Sequence, residues 1–302
     1  MIQSFALASL LGFELSYYLL IVQTGIAQHY HSDLLQLFPL FVGGVAGTVF
    51  SGQAWGNITN PVHKIIIALS LQLVLSALYP AYNVFTLGLL GISVGLMAPL
   101  GIYLFKEKQQ KELLFALAIA YTVGTYSFTT AADNRIWMAL SFTLIALISA
   151  IVLKDYKVEE DAKVVSHSFI SYLPLMLWIL LDSNLFESLS RHVGLTIWST
   201  QTLVIIPCHL AGLIAAYFIR ISSVKNHIFI AILFSASYAL SYLELPLILA
   251  IVYPFTISYY NVVVFTALSK EMSLAKLASM MVFIGWIASG IGLALALSKL
   301  LH

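Results

Sequence analysis

Long apolar runs, broken by short polar or Gly/Pro stretches, cover the chain from end to end. A helix that crosses a bilayer needs roughly 20 mostly apolar residues. Runs of that kind fall at 4–24, 34–54, 64–82, 84–105, 112–130 and 135–153, then at 168–189, 196–219, 227–242, 245–268 and 275–298. The pattern predicts an all-α integral membrane protein of about eleven spanning helices. Tyr79-Pro80-Ala81-Tyr82-Asn83 marks the break between the third and fourth runs, and Glu244-Leu245-Pro246 makes the hairpin after the short ninth. The longest polar stretch runs from Lys154 to Lys163. It divides the chain into a six-helix bundle (1–153), a linker (154–167) and a five-helix bundle (168–302).

Composition sharpens this picture. Of 302 residues, 61% are hydrophobic and 9% charged, where a soluble domain carries about 25% charged residues. The net charge of +1, with no basic run, excludes a nucleic-acid partner. The single cysteine, Cys208, excludes an intramolecular disulfide framework and a Cys-rich zinc site. The first apolar run starts at once, without a basic leader or a small-residue cleavage site, and is read as a retained helix.

Basic residues favour the cytoplasmic side of a membrane. With the N-terminus inside, the inner connections hold Lys64; Lys106, Lys108 and Lys111; Lys154, Lys157 and Lys163; Arg220 and Lys225; and Lys270 and Lys276. Only Arg135, Arg191 and Lys299 fall outside. The expected placement is a bacterial inner membrane, N-terminus cytoplasmic and C-terminus external.

Two carboxylates, Glu14 and Asp182, lie well inside apolar runs. A charge at the centre of a spanning helix costs about 2.5–3.5 kcal/mol on insertion scales, which makes such a residue a candidate for function. Glu14 stands about 15 Å into its helix, at 1.5 Å per residue, close to the bilayer midplane. Small polar and aromatic groups follow each acid: Tyr17 and Tyr18 after the first, Asn184 after the second. The bland alternative for each acid is a protonated carboxyl hydrogen-bonded to a neighbouring helix. Glu187 stands four residues before Arg191, the spacing of an interfacial ion pair.

Cys208 and His209 sit mid-run after Pro207. Both could bind a soft metal and His209 could relay protons, but adjacent helical residues point about 100° apart. His209 is the stronger candidate, as a cavity residue, and no metal or cofactor is expected. The tenth run holds Tyr253-Pro254-Phe255-Thr256-Ile257-Ser258-Tyr259-Tyr260-Asn261, where proline frees a carbonyl mid-span. Tyr259 and Asn261 are its site candidates. His29 and His31 read as a solvated outer loop. Gly43, Gly47 and Ser51, Gly91 and Gly95, and Gly285 and Ser289 form small-residue seams for close helix packing.

The N-inside orientation, the basic loops after runs two, four, eight and ten, and the charged central loop resemble the major facilitator superfamily at the level of topology. That family's loop between helices two and three reads Gly-x-x-x-Asp-Arg/Lys-x-Gly-Arg-Arg. Here the place reads Gly52-Gln53-Ala54-Trp55-Gly56-Asn57-Ile58-Thr59-Asn60-Pro61-Val62-His63-Lys64, which keeps the leading glycine and lacks the acid and the arginine pair. The family's twelfth helix, a peripheral one, has no counterpart. The resemblance implies two parallel pseudo-repeats with a substrate site between them near the midplane.

The leading expectation is a secondary active, proton-coupled transporter working by alternating access, by symport or antiport. No Lys or Arg lies mid-span to meet an anion, so the solute is expected to be a small cationic or neutral molecule or ion, bound by a monomer in the lipid bilayer. The alternatives are a membrane-embedded enzyme or redox subunit using the carboxylates and His209, a ten-helix drug/metabolite exporter of two five-helix repeats, and a scaffold without transport. No P-loop or HExxH occurs. A reporter fused after residue 160 is expected on the cytoplasmic side and one at the C-terminus outside; a cytoplasmic C-terminus would break the eleven-helix assignment.

Overall fold

The structure, a computed structural model, describes residues 1–31, 33–105, 109–158, 169–191, 197–198, 200–219, 222–271 and 273–298. Most of the anticipated linker, together with Lys106, Lys108, Lys163, Arg220, Lys299 and the side chain of Arg191, lies outside the described residues. The described residues form eleven helices and no β-strand. They are α1 Ile2–His29, α2 Leu34–Ser51, α3 Pro61–Ser76, α4 Val84–Tyr103, α5 Gln110–Ser127, α6 Ile136–Val152, α7 Leu173–Arg191, α8 Thr202–Phe218, α9 Ser223–Tyr242, α10 Pro246–Ser269 and α11 Leu274–Ser298. Two contain π-helical segments, Tyr18–Ile26 in α1 and Val282–Ala288 in α11.

Side-chain caps set several starts. Asp33 accepts from the Leu35 N–H and the Gln36 side chain, and these bonds, the backbone one foremost, hold its carboxyl below the ordinary range. Asn60 caps α3 with Pro61 at its first position, and Asn83 and Thr86 form a reciprocal capping box for α4. The third run was expected to reach 82. Its helix stops at Ser76, because Pro80 has no N–H to extend it and Asn83 already begins the next helix.

Six helices, α1, α2, α4, α9, α10 and α11, are long and apolar enough to cross a membrane, and α3, α6 and α8 are apolar but shorter. The outer faces are apolar: α6 exposes Trp137, Leu144, Ile145, Ile148, Ile151 and Val152, a stripe without a charge. Inside lie the polar groups Glu14, Ser16, Thr24, Thr48, Gln72, Ser76, Ser93 and Thr143. Hydroxyls and amides facing in, with Ile, Leu and Phe facing out, suit a solvent of acyl chains.

The chain divides into two compact units, residues 1–165 with 268–282, and residues 166–267 with 283–302. The expected bundle 168–302 thus lacks 268–282. That stretch groups with the first unit because the start of α11 packs on α2 and α4, where Ala275 and Ala278 meet Gly52.

Within the first unit α1 packs on α5 and α6, α4 packs on α2 and α3, and α3 packs on α6. Exchanging helices one, two and three with four, five and six leaves this pairing unchanged. The α2·α4 seam is the closest. A methyl group at Gly43 or Gly47 would collide with the carbonyl of Gly88 or Ile92, and one at Gly91 or Gly95 with that of Leu40 or Gly44. Thr48 Oγ1 donates to the Gly95 carbonyl across this seam at 3.0 Å. The connections after α1, α3 and α5 share one end of the unit: Tyr30 bonds the Tyr82 backbone, Tyr79 the Ala132 carbonyl, and His29 Nδ1 lies 3.2 Å from Asp133 Oδ1. At the opposite end Asn60 donates to the Lys154 carbonyl, and Lys64 Nζ closes the end of α2 by donating to Ser51 O and Gln53 O.

In the second unit α11, through Ser289–Ser298, packs on α7, with Gly292 against the Leu180 carbonyl and Ser183. Gly212 of α8 meets Phe255 and Ser258 of α10, and α9 meets α10 through Ser237 and Thr256. These pairs repeat, six helices on, the α1·α5, α2·α4 and α3·α4 pairs of the first unit.

Gly95→Val forces the seam apart and is expected to destabilise the purified protein by about 1–3 kcal/mol, read as a lower thermal midpoint in detergent. Gly124→Ala, whose new methyl group would meet nothing nearer than Leu19 Cδ1 at 3.8 Å, should leave the midpoint close to that of the native sequence.

Candidate functional site

In the first unit one stripe of α1 carries Glu14 and Tyr17, three residues apart and both buried. Opposite them α3 presents Gln72 and Ser76, four apart on one face. Gln72 Nε2 donates to Glu14 Oε2 at 2.9 Å and to Thr143 Oγ1 of α6 at 3.2 Å. Ser93 Oγ of α4 donates to the Ala68 carbonyl at 2.8 Å and lies 3.4 Å from Gln72 Oε1. Ser76 Oγ donates to the Gln72 carbonyl and lies 3.1 Å from the Tyr17 hydroxyl. Four helices therefore meet around one carboxamide. Glu14 is 6% exposed, and among the described residues its Oε1 has no hydrogen-bond partner and no cation stands beside it. Tyr18 is half-buried next to Tyr17.

Farther along, α1 is π-helical from Tyr18 to Ile26. Thr24 Oγ1 bonds the Leu19 and Leu20 carbonyls, and Arg135 donates from a terminal nitrogen to Leu20 O (2.9 Å) and Thr24 Oγ1 (2.8 Å). Its other nitrogens reach Thr130 O and Phe128 O. Expected as an outer-loop charge, Arg135 is 2% exposed and ties the α5–α6 connection to α1.

The second unit builds a different surround for its acid. Tyr260 OH donates to Asp182 Oδ2 at 2.6 Å, and Tyr253 OH lies 2.8 Å from Oδ1 and 3.1 Å from the Asp182 carbonyl. Both oxygens of this carboxylate thus have hydroxyl donors, supplied by α10. Tyr238 of α9 bonds Leu181 O and Asn184 Oδ1, while Asn184 Nδ2 reaches Gly292 O of α11 at 3.4 Å. Asn184 therefore joins three helices. Trp198 packs against Tyr253, Phe186 and His209.

The other candidates are spread apart. His209 is buried, its Nδ1 2.7 Å from Ser258 Oγ, with the Pro254 carbonyl as a second partner of the ring. Cys208 is half-buried, and among the described residues no three His, Cys, Asp or Glu side chains converge as a metal site requires. Tyr259 points away from Asp182 and donates to Asn226 Oδ1 at 2.7 Å. Asn261 is half-buried one position past Tyr260. Glu187 is buried, but its proposed partner's side chain lies outside the described residues.

Gln72, Tyr238 and Tyr260 are the residues that sequence reasoning passed over. Gln72 carried a signal, as the only amide inside the third apolar run; the tyrosines carried none beyond being three among sixteen with Tyr253. No protein-family model matches this chain, and no curated protein matches it either.

Asp182→Leu strands the Tyr253 and Tyr260 hydroxyls, at about 1–3 kcal/mol for each buried donor left unpaired. The thermal midpoint should fall clearly below that of the native protein, with Asp182→Asn, which keeps one acceptor oxygen, in between. Equal midpoints for all three would show that the tyrosines do not depend on the acid.

Proposed function

We propose that this chain is a polytopic membrane protein of the inner membrane, N-terminus inside, that acts as a secondary active transporter of a small cationic or neutral solute by proton-coupled alternating access. One observation carries the reading. Each compact unit sets a carboxylate inside its first helix, Glu14 buried and Asp182 half-buried, on hydrogen bonds from helices later in the same unit, and among the described residues no cation stands beside either. A purely structural carboxyl is as well replaced by an amide, whereas an acid kept in an apolar interior at a cost in stability is suited to take up and release a proton.

The helix pairing supports the architecture of the major facilitator superfamily, whose halves contain nested three-helix repeats. The first unit's pairing is unchanged when its helix triplets are exchanged, and the second unit repeats three of its pairs. Asp182, a carboxylate held by the hydroxyls of Tyr253 and Tyr260, suits a cation better than an anion. Glu14, served on one oxygen alone, is the better proton carrier.

A thermal-shift screen of the purified protein against amines, nucleosides, sugars and metal ions identifies the solute, since a ligand of the native state raises apparent stability. Proteoliposomes under an imposed pH gradient then test the coupling. The native protein should accumulate that solute; Glu14→Gln should fold, bind it without pH dependence, and fail to accumulate it. Undiminished pH-driven uptake by the Gln variant would remove Glu14 from the mechanism and leave Asp182 as the next candidate.

A further inference from the structure

The hydrogen-bond pattern around Gln72 is only partly satisfied as it stands. Its Nε2 serves both Glu14 Oε2 (2.9 Å) and Thr143 Oγ1 (3.2 Å). Its Oε1 depends on Ser93, whose single hydroxyl proton has a nearer acceptor in Ala68 O, at 2.8 Å against 3.4 Å. A carboxamide carries its donor and acceptor on ends of nearly the same shape, so a half-turn exchanges them without moving the backbone. After that half-turn Oε1 would face Glu14 and Thr143, and Nε2 would face a Ser93 oxygen that already donates to Ala68 and is free to accept.

We propose that Gln72 is a two-position partner of Glu14, donating to the carboxylate through Nε2 and, after a half-turn of its amide, accepting from the protonated carboxyl through Oε1. The proton comes from a hydronium ion of the aqueous phase, whose O–H bond breaks to leave water as a new O–H bond forms at Glu14 Oε2. Thr143 turns from acceptor to donor, and Ser93 gains the donor it lacks. Each protonation state then has a matching network, and the change is felt on α3, α4 and α6 at once. Gln72 is thus a positioning residue, and its role rests on the reading of Glu14 as a proton site.

The surroundings leave Glu14 as the group that titrates here. On α1 the titratable neighbours are Tyr17 and Tyr18. The facing helices carry their charges in their first turns, Lys111 and Glu112 on α5 and His63 and Lys64 on α3, with Tyr121 buried farther along α5. α4 holds only Tyr103 and α6 has no titratable residue.

Infrared difference spectra between high and low pH, taken on the full chain in proteoliposomes with isotope-labelled glutamine, test this directly. The expected result is a protonated-carboxyl band that appears on acidification and is lost in Glu14→Gln, with a glutamine amide band that shifts at the same midpoint. Gln72→Met assigns that amide band; if this variant does not fold, Gln72→Asn, whose shorter side chain displaces the amide, assigns it instead. Because a turning amide stabilises both forms, Gln72→Met should move the carboxyl midpoint by less than about threefold in proton concentration. A fixed donor to the carboxylate would move it by about tenfold or more. A titrating carboxyl without an amide change overturns the proposal and leaves Glu14 as the proton site. The absence of any titrating carboxyl band removes both.

Discussion

A polar group inside an apolar helix bundle has no water to turn to, and must find its partner on a neighbouring helix. Much of the interior follows from that constraint. Glu14 reaches across to α3, Gln72 onward to α6, and Ser93 of α4 closes the group. Arg135, which would be costly to bury unpaired, is held on four oxygens, one of them the Leu20 carbonyl in the π-helical part of α1. In the second unit the same requirement binds α7 to α9, α10 and α11 through Tyr238, Tyr253, Tyr260 and Asn184.

Hydrophobic burial cannot drive helix association where the surroundings are themselves apolar, so shape must do it. The α2·α4 seam brings backbones together at Gly43, Gly47, Gly91 and Gly95, where no side chain larger than hydrogen fits. Gly212 does the same for α8 and α10, and Gly292 for α11 and α7. Close seams and hydrogen-bonded clusters are complementary. The first set the distance between helices, and the second set their rotation, because only one rotation places Gln72 at hydrogen-bonding distance from Glu14.

The two acids illustrate how similar placement in sequence yields dissimilar chemistry. Asp182 lies among tyrosine hydroxyls of α10 that reach both of its oxygens. Glu14 draws its donor from a single amide of α3, on one oxygen.

The helical class, the places of the eleven described helices and the two acids set inside apolar runs were all legible in the chain itself. Apolar runs of spanning length leave few alternatives, and a carboxylate in such a run stands out by its cost. Caps such as Asn60-Pro61 and Asn83 with Thr86 act within a few residues, so they too can be read locally. The partners could not be read this way. Gln72 lies 58 residues from Glu14 and Tyr260 lies 78 from Asp182. Neighbouring helical residues differ by about 100° in direction, so the choice of Tyr260 over Tyr259 depends on how α10 is turned, which its own sequence does not state. Arg135 looked like a loop charge until α1 was seen to offer it carbonyls. Local pattern decided which segments are helices and which side chains are costly to bury; only the packing of distant helices decided what each of those side chains meets.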